Sequence, residues 1–90
     1  MAVLIEMSVK VDDPKRFVMA VGKHRGLMQD AGARNLTVAR SEADPNVMLM
    51  SAEWDSHEQM HVSAEQGGNI FNRDAGTEGK NWETRVWHLV

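Results

Sequence analysis

Residues 57–61 read HEQMH, which sets two histidines and a glutamate at the spacing H-E-x-x-H. On a helix that spacing puts His57 and His61 on one face. There two imidazoles can ligate zinc, and Glu58 can act as general base towards a metal-bound water. The neighbours favour a different use of these letters. Trp54 ends an apolar run, Ser56 suits a helix N-cap, and Gln59 lies three residues on, as a capping box requires. Glu58 then falls in the first turn, where the helix dipole favours a negative charge by about 0.3–1 kcal/mol. Glu65 extends the row of His57 and His61, and Glu78 or Glu83 offers a third ligand, but a zinc hydrolase also needs a substrate cleft that so short a chain can hardly build. The expectation is no metal site. His61 keeps its interest because Met60 and Ala64 flank it, so it is expected to border an apolar cavity. His24 lies on an apolar helical face in the same way, and histidine is the side chain best suited to move protons near neutrality.

The elements that must position these residues follow from hydrophobic periodicity. Val3, Ile5, Met7, Val9 and Val11 alternate with mostly polar residues, which describes a strand with one apolar face. Asp12 or Asp13 caps a helix with Pro14 in its first turn. Phe17, Ala20, Val21, His24, Leu27, Met28 and Ala31 share a face of that helix, and Gly32 closes it. RNLTVARS and VMLMSAEW make a hairpin around the turn EADPN. A second helix is expected from Asp55 or Ser56 to about Gln66, broken by Gly67 and Gly68. The segment NIFNRDAGTEGKN is expected as a helical turn and a loop, and WETRVWHLV as a final strand. This order is β-α-β-β-α-β, an α+β ferredoxin-like arrangement with an antiparallel sheet and both helices on one face.

Ninety residues suit a single domain spanning 1–90. A formal net charge of −3 gives no basic footprint for nucleic acid. No apolar run approaches the roughly 18 residues of a membrane span. Without cysteine, disulfides are excluded and a reducing cytoplasm is the default location.

The length, the element order and the stretch AEWDSHEQM resemble the antibiotic biosynthesis monooxygenase family. The matching features are a strand ending in Trp54, Ser56 starting a helix, and an aromatic-containing last strand, with Phe17 and Gly32 also in place. The resemblance implies a homodimer in which two ferredoxin-like sheets pair into an α/β barrel, with a pocket between sheet and helices in each subunit. It implies a cofactor-independent monooxygenase acting on a small aromatic, quinol or polyketide-like substrate. The chain departs from the family pattern in carrying Ser63 where members often have His, nine residues after the strand-end Trp. The first strand lacks the Asn of the haem-degrading branch, and the chain has no tyrosine.

Cofactor-free oxygenation needs a base, a stabilised anion and exclusion of bulk water. His61 is the first candidate base, with His24 and His88 behind it. Arg40 is the candidate for anion stabilisation, with Arg85 as a second. Trp54, His24, Phe71, Trp87 and Met60 are the expected substrate contacts, and Trp82 adds apolar surface. A non-catalytic ligand-binding or accessory protein, or an isomerase or cyclase, would use the same pocket.

Overall fold

The computed structural model describes residues 1–90. It contains β1 (Val3–Lys10), α1 (Pro14–Asp30), β2 (Arg34–Arg40), β3 (Val47–Trp54), α2 (His57–Ala75) and β4 (Trp82–His88). The sheet order is β2-β3-β1-β4, and every neighbouring pair is antiparallel. This is the ferredoxin-like order expected from the sequence.

Register follows from the alternation in β1. Ile5 pairs with Ala52 and Val86, and Val9 pairs with Met48 and Trp82. One face therefore collects apolar side chains under the helices. Leu4, Glu6 and Ser8 point to the other face beside Glu53, Ser51 and Leu49. In β2 an extra residue between Arg34 and Thr37 makes a bulge, with Asn35 at φ 52°.

Two adjoining apolar clusters lie between sheet and helices. One joins Val9, Val11, Phe17, Val21, Met48 and Phe71; the other joins Val3, Ile5, Ala52, Trp54 and Met60. Met28 and Leu36 pack against both. Phe17 is fully buried at the centre, with Phe71 edge-on at a centroid distance of 6.0 Å. Burying a side chain of this size contributes about 1.5–3 kcal/mol.

The caps are local and specific. Asp13 accepts from the Arg16 N–H at 3.2 Å, with Pro14 opening α1. Ser56 accepts from the Gln59 N–H at 3.1 Å, and the Gln59 side chain accepts in return from the Asp55 N–H at 2.9 Å. Glu58 occupies the first turn of α2.

The main departure from the sequence expectation is the length of α2. It does not stop near Gln66 but passes through Gly67 and Gly68 to Ala75, ending at Gly76 with φ 74°. Two interior glycines weaken a helix by roughly 1 kcal/mol each. Burial of Phe71 and Ala75 at the far end outweighs that cost. Arg16 fastens the same end: its Nε donates to the Asp74 carbonyl at 3.0 Å and its Nη2 to the Arg73 carbonyl at 2.5 Å.

Gly32 lies in the turn between α1 and β2, packed against Gln59 at the start of α2. Its φ of 118° is strained for any L side chain, and a Cβ there would run into the Gln59 amide. Gly32→Ala is expected to lower the unfolding free energy by more than about 1 kcal/mol in urea denaturation. Gln59→Ala should recover none of that loss, because it removes the cap while leaving the backbone strained.

Candidate active site

A cavity of about 440 Å³ opens between α2, the C-terminal half of α1 and the helix-facing side of the sheet. That volume falls in the roughly 300–1,000 Å³ range of small-molecule sites. Trp54, Trp82, Phe71, Met50 and Met60 supply flat and adaptable apolar wall. Leu27, Ala64, Gln66 and Asn69 line the cavity and are also exposed, so they mark its mouth.

His24 is the one titratable side chain in the cavity wall. It is buried, and its Nε2 lies 2.7 Å from Asp74 Oδ2. Phe71 packs edge-on against the ring at 5.6 Å between centroids. Lys23 Nζ reaches the same Asp74 oxygen at 3.1 Å. The hydrogen bond from His24, and then that from Lys23, hold the Asp74 carboxyl below its usual range. Asp74 therefore stays an anion near neutrality, and His24 donates its Nε2–H to it. Nδ1, free of protein partners, is left as the basic nitrogen.

Sequence reasoning left Asp74 in a segment read as a helical turn and a loop, and did not single it out. The signal was Gly76, a left-handed helix terminator that could have extended α2 past the glycine pair. Such a helix puts Asp74 three residues after Phe71, on the same face.

The expected contacts His24, Trp54, Met60 and Phe71 all line the cavity. His61, Arg40 and Trp87 do not. His61 is exposed and lies against His57, with ring centroids 4.5 Å apart. One residue on a helix is a 100° rotation, so inward-facing Met60 turns His61 outward. Arg40 is exposed at the end of edge strand β2. Trp87 stands on the opposite sheet face, half-exposed, with its Nε1 donating to Glu6 Oε1 at 2.6 Å. No third histidine or carboxylate joins His57 and His61 in a metal-sized group.

Gly67 and Gly68 form part of the cavity wall, and a Cβ on either would meet nothing within 4 Å. Packing therefore does not require these glycines. Their effect is to leave space beside the helix backbone.

No protein family and no curated protein matches the chain by sequence. Its fold does match solved structures. A candidate antibiotic biosynthesis monooxygenase from Bordetella bronchiseptica aligns over 99% of this chain and 97% of its own, at TM-score 0.79 and 18% identity. One from Nitrosomonas europaea aligns over 99% and 90%, at TM-score 0.77 and 13% identity. SnoaB of Streptomyces nogalater, a cofactor-independent oxygenase, aligns over 99% and 92%, at TM-score 0.73 and 14% identity. At these identities the likeness is one of fold. Fold and site together define a small ferredoxin-like α+β protein with an apolar cavity and a buried histidine bonded to a partly exposed aspartate.

Two outcomes follow from this geometry. Gly67→Ala with Gly68→Ala should raise the unfolding free energy by about 0.5–1 kcal/mol per site while weakening any ligand of the cavity, as read by denaturation and by tryptophan-fluorescence titration. Asp74 has a depressed folded pKa, so its stabilising contribution is present above the unfolded value of about 3.9 and disappears as pH falls through the folded value. Asp74→Asn should therefore be less stable than the wild type at pH 7, with the gap closing below about pH 4 in urea melts.

Proposed function

We propose that this chain is a cofactor-independent monooxygenase of a small aromatic, quinol or polyketide-like substrate, with His24 as general base. The observation that carries the reading is His24, buried in the wall of an aromatic-lined cavity and hydrogen-bonded to Asp74 outside it. The fold shared with SnoaB supports it. In this reading a phenol or enol ring lies among Trp54, Trp82 and Phe71, and its hydroxyl gives its proton to His24 Nδ1. Asp74 stabilises the resulting imidazolium. The electron-rich anion then takes up dioxygen at a carbon that bears a hydrogen, the His24 imidazolium returns its proton to the peroxide anion, and the hydroperoxide so formed loses water to leave a carbonyl. One oxygen atom ends in the product and the other in water, so no external reductant is consumed.

The same reading makes the protein a homodimer through the open face of the sheet. That face carries half-exposed Trp87, with Leu4 and Leu49, and no element of this chain covers it. Pairing two sheets would bury these residues. Trp87→Glu should convert a dimer to a monomer in sedimentation velocity; a Trp87→Glu dimer would place the interface elsewhere.

An oxygen electrode and a panel of anthrones test the activity. The wild type should consume one equivalent of dioxygen per substrate without releasing peroxide. His24→Ala should slow turnover by roughly 10²–10⁴-fold, the range for loss of a general base. Undiminished turnover in His24→Ala would refute the assignment of the base. Turnover under argon would instead indicate an isomerase or cyclase, and binding without turnover an accessory protein.

A further inference from the structure

Removing a proton from a substrate hydroxyl inside an apolar cavity leaves an oxyanion that needs a donor. The cavity wall has no lysine and no arginine. It does contain Asn72, half-buried near the end of α2. Asn72 Oδ1 accepts from Thr77 Oγ1 at 2.7 Å, and its main-chain carbonyl accepts from the Thr77 N–H at 2.9 Å. Thr77 is itself buried, 1% exposed, immediately after Gly76.

This arrangement fixes the amide. The oxygen and nitrogen of a carboxamide diverge from one carbon, so tying Oδ1 to Thr77 turns Nδ2 away from the loop. Nδ2 has no protein partner, yet no buried side-chain polar atom lacks one. Nδ2 is therefore accessible, with its two N–H donors free.

Building on the oxygenase reading, we infer that Asn72 Nδ2 donates to the substrate oxyanion formed when His24 takes the proton, and that Thr77 positions this amide. A neutral donor also suits the chemistry that follows. A full positive charge would hold the anion more strongly and make it a poorer electron donor to dioxygen; an amide stabilises it less. Thr77 touches no substrate in this scheme and acts only through Asn72.

The test uses naphthol, a planar phenol whose absorbance distinguishes the neutral from the ionised form. The wild type should bind naphthol and shift its ionisation to lower pH than in free solution. The double variant Asn72→Leu with Thr77→Val removes the donor without leaving the buried hydroxyl unpaired. It should lower the preference for naphtholate over naphthol by about tenfold, a rise of roughly one pH unit in the ionisation midpoint. Thr77→Val alone, the milder variant, should lower that preference by a smaller factor, while neutral naphthol binds each variant within about threefold of the wild type. Near-UV circular dichroism checks that each variant is folded. A wild-type preference for naphtholate in both variants would overturn the role of Asn72 while leaving the binding site intact. Failure of the wild type to bind naphthol would overturn the aromatic-site reading and this inference with it.

Discussion

The contact on which this site depends is the 2.7 Å hydrogen bond between His24 on α1 and Asp74 on α2. It joins residues 50 positions apart and links the two helices above the sheet. It also determines the ring's chemistry, because an imidazole bonded through Nε2 to a carboxylate offers Nδ1 as its base. Much of the surrounding architecture serves to bring that carboxylate into place. α2 must continue beyond its glycines, Arg16 must hold its last carbonyls, and Phe71 must be buried beside the histidine.

The two interior glycines set stability against cavity volume. A helix of 19 residues with Gly67 and Gly68 near its middle is weaker than one with alanines there. No close contact at either position demands glycine. The far end of α2 is instead secured by burial and by Arg16, so the middle can stay thin where the cavity lies. The closely packed cluster around Phe17 adjoins the cavity through Phe71.

Much of the fold was legible because its signals are local. The alternation in β1, Asp13 with Pro14, and Ser56 with Gln59 each point to one structure and are found in it. The extent of α2 was not, because the glycine pair is a local stop signal overruled by tertiary burial of Phe71 and Ala75. That single error hid Asp74 and Asn72 together. His61 was expected at the cavity because it adjoins Met60 in sequence, but adjacency on a helix means a different direction. Trp87 could have been separated from Trp82 by parity alone. The two are five residues apart on one strand, and an odd separation puts side chains on opposite faces. Trp82 reached the cavity and Trp87 the open face.

The central claim is that the ring nitrogen opposite Asp74 meets the substrate hydroxyl. A crystal structure of the protein with a bound aromatic phenol tests it most directly. The account predicts the hydroxyl within about 2.6–3.2 Å of His24 Nδ1, with the ring against Trp54, Trp82 or Phe71. A phenol bound with its hydroxyl turned to the cavity mouth, or lodged on the open sheet face beside Trp87, would contradict it.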